Sequence, residues 1–136
     1  MPIERVGTVC IFVRDQDRAR EFYVGRLGME VRADEPVRPG ETNRWLAVAP
    51  KGADTEIILY LPDEHWEHYQ PVVGKSQALT LQVDNLDKLK KDLEKKEVRF
   101  IHDPEKHPYG KYAMIEDSEG NHIILIEPNK HHKPPK

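Results

Sequence analysis

The sequence predicts an α+β fold made of two tandem βαβββ units, at about residues 5–62 and 76–128. Two apolar segments, "EIILYLP" at 56–62 and "HIILIEP" at 122–128, are nearly identical and close the two halves of the chain. Each half opens with a strand-like segment and an amphipathic segment, followed by two further strand-like runs. Self-similarity of this length indicates duplication of one structural unit.

Composition limits the classes of protein that fit. The 136-residue chain is long enough to bury a core and carries a net charge of −3, so a basic nucleic-acid-binding face is not expected. No apolar run reaches the roughly 18–20 residues of a membrane span, and "MPIERVG" lacks the apolar region of a signal peptide. The single cysteine, Cys10, excludes an internal disulfide framework and indicates a cytoplasmic location.

In the first half, alternating apolar residues in "TVCIFV" predict the opening strand. Asp15 stands at an N-cap position, and the following helix is predicted to end at Gly25 and Gly28. The runs "MEVRA", "RWLAVAP" and "EIILYLP" predict three strands, the last two joined by the turn-forming "KGAD".

The second half repeats this order. "ALTLQVDN" predicts a strand, and "NLDKLKKDLEKK" predicts a helix with Leu86, Leu89 and Leu93 on one side. "VRFIH", "KYAMIED" and "HIILIEP" predict three strands, with a turn at "SEG". We expect one domain over residues 1–129, followed by a flexible tail at 130–136.

A βαβββ unit cannot bury both faces of its sheet, because its helix covers only one. We therefore expect two curved mixed sheets that form an open-barrel cleft, which is the natural place for a ligand.

The double βαβββ pattern, with "FVRDQDRAREFYVGRLGMEV" and "HPYGKYAMIEDSEGNHIILIEP", resembles the vicinal oxygen chelate superfamily. This superfamily includes glyoxalase I, extradiol dioxygenases, fosfomycin-resistance enzymes and bleomycin-resistance proteins. The resemblance covers roughly residues 6–128. It implies the fold, whereas the same scaffold carries unrelated functions.

The resemblance also implies a divalent metal held by ligands from the first and last strands of each unit. The matching positions here are Thr8, Ile58, Ala78 and Ile124. Alanine and isoleucine have no donor atom, and a lone threonine hydroxyl is a poor ligand. Glu127 should point away from the cleft, and Glu56 should lie only at its entrance. We therefore predict that the metal site is lost and that no cofactor is bound.

The histidines offer few ligands that could replace the lost metal site. His65 and His68 lie between the units, His131 and His132 lie in the flexible tail, and His102 and His107 flank "DPEK" in a predicted loop. We interpret the four outside the tail as exposed surface residues. His122 shares a strand face with Ile124 and is expected in or near the cleft, as a wall residue rather than a ligand. A non-standard metal site with His107 remains an alternative.

Strand alternation yields most of the candidate ligand-binding residues, which are Thr8, Cys10, Phe12, Trp45, Ile58, Tyr60, Thr80, Gln82, His122 and Ile124. The resemblance adds Tyr109 and Lys111 of the predicted "HPYGKY" loop, which could close over the cleft. This largely apolar set with a few polar groups suits a small, partly aromatic organic ligand. In the alternative interpretation, the side chains pack against one another or form a dimer core. No neighbouring base identifies Cys10 as a nucleophile, so a core cysteine is favoured.

The leading hypothesis is a metal-independent small-molecule-binding protein of the glyoxalase/bleomycin-resistance type. The alternative is a metal-dependent lyase, isomerase or dioxygenase of the glyoxalase type with rearranged ligands. A third hypothesis is an interaction protein whose cleft is filled by its own side chains. The apolar segment "WLAVA" and the resemblance favour a homodimer. The sequence does not name the ligand or show whether a reaction is catalysed.

Overall fold

The structure, a computed structural model, describes residues 2–62, 71, 73–75 and 79–129. The chain divides into two compact units, residues 1–76 and 77–136. Both units have the predicted βαβββ order. Several residues named above, Ala78, His65, His68, His131, His132 and the 130–136 tail, lie outside the described residues. The predicted cleft between the sheets and the grouping of both units in one domain stay predictions.

The first unit is an open four-stranded mixed sheet with one helical segment. Its elements are β1 (Thr8–Phe12), α1 (Gln16–Arg20) continued by a π-helical segment (Glu21–Arg26), β2 (Glu30–Pro36), β3 (Arg44–Ala49) and β4 (Glu56–Tyr60). The strand order is β1-β4-β3-β2. Strands β1 and β4 are parallel, and the other neighbours are antiparallel.

The helix of the first unit begins where the sequence predicts. The Asp15 side chain accepts a hydrogen bond from the Arg18 backbone N–H, as an N-cap residue does. The prediction that Gly25 ends the helix is wrong, because Gly25 lies inside the π-helical segment. The turn comes at Gly28, whose φ of 78° favours glycine.

Alternate residues of the strands fill the space between this sheet and α1. The fully buried side chains there include Val13, Leu46, Val48 and Leu59. Buried Gln16 of α1 ties the helix to two strands. Its Nε2 donates to the Arg44 carbonyl at 2.8 Å and to the Leu59 carbonyl at 2.9 Å, and its Oε1 accepts from the Arg44 N–H. Because both ends of the amide are bonded, its burial is compensated.

The second unit repeats this architecture. Its elements are β5 (Leu79–Gln82), α2 (Leu86–Lys95), β6 (Phe100–His107), β7 (Gly110–Glu116) and β8 (His122–Pro128), in the order β5-β8-β7-β6. Asn85 caps α2 through the Lys88 N–H. On the predicted apolar side of α2, Leu86 and Leu93 are buried and Leu89 is half-buried. No helix in the described part of the chain has the length and apolar character of a membrane span.

A turn between β7 and β8 fixes the register of the closing strand. The Asp117 carboxylate, buried in the turn, accepts from the N–H groups of Glu119 and Asn121 and from the Asn121 side chain. The Asp117 N–H in turn donates to the Asn121 carbonyl at 2.8 Å. This closed set of bonds determines which residues of β8 face which side of the sheet.

Gly110 is a position where the fold requires glycine. Its φ is 141°, and a Cβ added there would lie 2.1 Å from the Glu127 carbonyl oxygen. We expect Gly110→Ala to lower the free energy of unfolding by about 2–4 kcal/mol, because backbone atoms of β8 must shift. Urea unfolding followed by circular dichroism measures this loss.

Gly52→Ala is the matched control, since Gly52 has a φ of 80° but no atom within 4 Å of an added Cβ. It should cost only about 1 kcal/mol from its backbone conformation. Equal losses for the two variants would contradict the steric argument.

Candidate functional site

One face of each sheet is turned away from the helix of its unit. On the first unit, this first helix-free face contains Thr8, Cys10, Phe12, Ala33, Glu35, Trp45, Ala47, Glu56, Ile58 and Tyr60. Strand pairing arranges them in rows: Cys10 pairs with Ile58, Ile58 with Ala47, and Ala47 with Ala33. Glu56 shares the face of Ile58 and pairs with Thr8, at the start of both strands, as predicted.

The middle of this face is filled by the chain itself. Phe12, Ala47, Ile58, Tyr60 and Val73 form one buried apolar cluster. Val73 lies in the connection after β4, and its carbonyl accepts a hydrogen bond from Arg14 Nη2 at 3.2 Å. Ile58, predicted to line a ligand site, is only 1% exposed. This part of the face therefore agrees with the interpretation that some candidate residues pack against one another.

Other residues of the first face remain accessible. Thr8 and Cys10 are exposed near the start of β1, and Trp45 is 44% exposed. The Trp45 ring meets the Tyr60 ring in a T-shaped arrangement, with centroids 6.4 Å apart. An exposed tryptophan held by a buried aromatic neighbour is a suitable contact for an organic molecule.

Cys10 is accessible but poorly suited to act as a nucleophile. The expectation of a core cysteine is wrong, because the residue is exposed. Partial burial of the thiol nevertheless raises its pKa to about 11, because a thiolate is disfavoured next to apolar side chains. At neutral pH the group is an uncharged thiol, which is a weak nucleophile.

The second helix-free face is formed in the second unit by Thr80, Gln82, Tyr112, Met114, Glu116, His122, Ile124 and Ile126. Thr80 pairs with Ile124 and Gln82 with Ile126 across the parallel strands. Tyr112 and Met114 pair with Ile126 and Ile124 from the other side. Thr80, Gln82 and His122 are exposed, while the two isoleucines are half-buried. This face combines accessible apolar side chains with hydrogen-bonding groups.

Aromatic rings border one end of the second face. His107 stacks on Tyr109 at 5.2 Å with an interplanar angle of 2°, and it meets Tyr112 edge-on at 5.9 Å. His102 lies 6.1 Å from Tyr112. The interpretation of His107 as an exposed loop residue is wrong, since it is half-buried and belongs to β6. Sequence reasoning missed Tyr112, although alternation with buried Ala113 would have indicated its side.

Lys111, a predicted ligand-binding residue, lies on the opposite face of β7. It alternates with Tyr112, and its Nζ is 2.6 Å from Asp87 Oδ2 in the first turn of α2. The hydrogen bond from Lys111 holds the pKa of the Asp87 carboxyl below its usual range. Glu127 also lies on this side, as predicted, where its Oε1 accepts from the Leu86 N–H at 2.7 Å. Lys111 therefore faces α2 and does not belong to the second helix-free face.

A family-type metal does not fit the described ligand positions. Ile58 and Ile124 lack donor atoms, and the apolar cluster around Ile58 leaves no room for an ion and its waters. His122 is paired with Glu116, whose carboxylate is 3.4 Å from Arg99 Nη1. Within residues 2–62 and 79–129, no group of three or more histidine, cysteine, aspartate or glutamate side chains could hold a metal ion.

The two equivalent isoleucines should differ in their contribution to stability. Ile58→Ala should lower the free energy of unfolding by about 2–5 kcal/mol, because it leaves a cavity in a packed cluster. Ile124→Ala should cost about 1 kcal/mol, since Ile124 is already half-exposed. Urea unfolding of both variants tests the difference, and equal costs would mean that Ile58 is not in a packed core.

Alkylation of Cys10 should be slow at pH 8. With a pKa of about 11 in place of 9.0, the thiolate fraction falls by about 100-fold. Reaction with iodoacetamide, followed by intact mass spectrometry, should accelerate about tenfold per pH unit through pH 10, where a thiol with an ordinary pKa would already react at a constant rate. The same chain in 6 M guanidinium is the control, and equal rates in the two conditions would contradict a perturbed thiol.

Comparison with known proteins agrees with this geometry. The sequence model of the Glyoxalase/Bleomycin resistance protein/Dioxygenase superfamily matches residues 5–125. The structure is similar to TnmS3, an antibiotic binding protein from Streptomyces sp. CB03234, with 35% identity, a TM-score of 0.80, and coverage of 95% of this chain and 99% of that chain. A superfamily member from Sphaerobacter thermophilus DSM 20745 is 31% identical, with a TM-score of 0.78 and coverage of 93% and 99%.

Among curated relatives, the protein YurT of Bacillus subtilis (strain 168) is 30% identical over 128 residues, which cover 90% of this chain and 98% of YurT. The family match spans both βαβββ units, and the similar structures extend over nearly the whole chain. The chain therefore belongs to the Glyoxalase/Bleomycin resistance protein/Dioxygenase superfamily.

Proposed function

We propose that this protein binds a small organic molecule on its helix-free sheet faces and needs no metal ion to do so. The observation that carries the proposal is its similarity to TnmS3, which is described as an antibiotic binding protein and shares 35% of its residues with this chain. Coverage of 95% and 99% of the two chains means that both units are part of the likeness.

The second helix-free face has the chemistry that such binding needs. Half-buried Ile124, Ile126 and Tyr112 provide apolar contact area, and exposed Thr80 and Gln82 provide hydrogen bonds. Burial of apolar surface contributes roughly 25 cal/mol per Å². Covering about 150 Å² on an aromatic ligand therefore supplies about 4 kcal/mol before the loss of ligand freedom. Hydrogen bonds then select among molecules of similar shape.

Metal independence is supported by the residues at the family's ligand positions. Ile58 is part of an apolar cluster, and Ile124 offers no donor atom. The accessible Cys10 thiol has a raised pKa, which disfavours the thiolate form that would bind a metal. A cytoplasmic location and a homodimer remain predictions from the sequence.

Metal analysis tests this part of the proposal. We expect the purified, untagged full chain to contain less than about a tenth of an equivalent of metal, because metal retention requires several donors in one site. Its thermal midpoint should also not change with zinc, nickel, manganese or ferrous iron. A full equivalent of metal, with a thermal shift that His122→Ala abolishes, would instead support the metal-dependent enzyme.

Ligand binding is tested by thermal shift with a panel of antibiotics from several chemical classes. A ligand at 100 times its dissociation constant stabilises the folded state by about 2.7 kcal/mol, which raises the midpoint by several degrees. Tyr112→Leu should weaken binding of a hit by roughly tenfold, through loss of ring contact.

Lys111→Ala is the matched control, because Lys111 neighbours Tyr112 on β7 but faces α2. It should change the affinity by less than about twofold. Equal effects of the two variants, or an absence of hits across the panel, would argue against a ligand on the second face.

A further inference from the structure

We propose that the first helix-free face recognises a protonated amine, using the Trp45 ring and the Glu35 carboxylate. The ligand class is thus a small organic cation with an aromatic or aliphatic body. This inference rests on the proposed function, because it specifies which molecules the sheet faces bind. It concerns a residue, Glu35, that the sequence analysis did not select.

Strand pairing brings the two groups together. Glu35 of β2 and Trp45 of β3 are direct antiparallel partners, so their side chains project from the same face with Cβ atoms about 4.5–5.5 Å apart. Trp45 is 44% exposed, and Glu35 is also exposed. On the other side of β3, the Trp45 ring meets the buried Tyr60 ring of β4 in a T-shaped contact, with centroids 6.4 Å apart.

The charged residues next to Glu35 and Trp45 in sequence form ion pairs on the opposite face of the sheet. Asp34 Oδ1 accepts from Arg44 Nε at 2.8 Å, and Arg44 Nη1 is 2.9 Å from Asp17 Oδ1 of the helix. Arg20 of the helix also bonds Asp34. Arg44 directly precedes Trp45 in the chain, but alternation turns its cation toward α1. Among the described ion pairs of this sheet, none involves Glu35.

Apolar residues lie on both sides of the carboxylate. Ala33 and Val37 flank Glu35 along the chain, and both pack against the buried cluster that contains Tyr60. Val37 is held opposite Asn43 by a backbone hydrogen bond of 2.9 Å. This part of the first helix-free face therefore presents the Glu35 carboxylate and the Trp45 ring among apolar side chains.

This combination favours a cation over neutral and anionic molecules. An ammonium group is attracted to the face of an indole ring, and tryptophan is the aromatic side chain that attracts it most strongly. The adjacent carboxylate adds a charge-assisted hydrogen bond. A neutral alcohol of the same shape keeps only the apolar contact, and a carboxylate ligand is repelled by Glu35.

The test compares phenethylamine with 2-phenylethanol, two soluble probes that differ in one charged group. The Trp45 indole N–H signal of the ¹⁵N-labelled full chain, assigned with Trp66→Phe, reports binding at this place. We expect the amine to bind at least about fivefold tighter at pH 7 and low salt. Added salt should weaken binding of the amine and leave binding of the alcohol unchanged.

Glu35→Gln should reduce the affinity for the amine by about threefold or more and leave that for the alcohol unchanged. Glu30→Gln is the matched control, since it makes the same change in net charge at the other end of β2. It should leave both affinities unchanged. If Glu35→Gln fails to fold, Trp45→Leu is compared with Trp45→Phe. Both variants lose the indole signal, so binding is then measured by isothermal titration calorimetry, and only the leucine variant should lose the preference for the amine.

The outcomes separate this inference from the function on which it rests. Equal binding of the two probes at Trp45 would overturn the amine inference, while small-molecule binding on this face would stand. An unchanged Trp45 signal with both probes would overturn the inference, and the antibiotic panel would then decide the proposed function. A preference that Glu30→Gln removes as strongly as Glu35→Gln would show a general charge effect and would also overturn it.

Discussion

A residue in a β-strand can serve only one face of its sheet, and each unit of this protein has one face covered by a helix. Two polar contacts secure that cover. The buried Gln16 amide ties α1 to β3 and β4, and the Glu127 carboxylate receives the first N–H of α2. Once the helices are fixed, every strand residue is assigned either to the core or to the helix-free face. The candidate sites follow directly from this division.

The two units share one arrangement of strands and helix, but their helix-free faces differ in accessibility. In the first, Val73 completes an apolar cluster over Ile58, and the accessible residues lie around that cluster, at Thr8 and Cys10 of β1 and at Trp45 of β3. In the second, Ile124 and Ile126 stay half-buried between exposed Thr80 and Gln82. A duplicated unit thus carries one face that is largely filled and one that is available, although the closing strands are almost identical in sequence.

Local patterns predicted the elements well because apolar alternation, caps and turn residues act over a few positions. They failed where the extent of a strand or the packing of a side chain depends on residues far away in the sequence or on irregular backbone. "DPEK" contains a proline and suggests a loop, yet register shifts allow β6 to continue through it to His107. The packing of Val73 against Ile58 depends on a contact across the connection, which no periodicity signals. Lys111 was misplaced because it was assigned to the "HPYGKY" loop, although it also begins the predicted strand "KYAMIED" and alternates there with Tyr112.

The burial of Ile58 limits which side chains can replace it during evolution. A glutamate at position 58 would place a carboxylate inside a cluster of Phe12, Ala47, Tyr60 and Val73, and an unpaired buried charge costs several kcal/mol. A domain of this size has only about 5–15 kcal/mol of stability to lose. A charged metal-ligating side chain at position 58 is therefore disfavoured unless the packing around Val73 changes first. In the second unit, Ile124 is half-exposed, so a charged side chain there would keep contact with solvent.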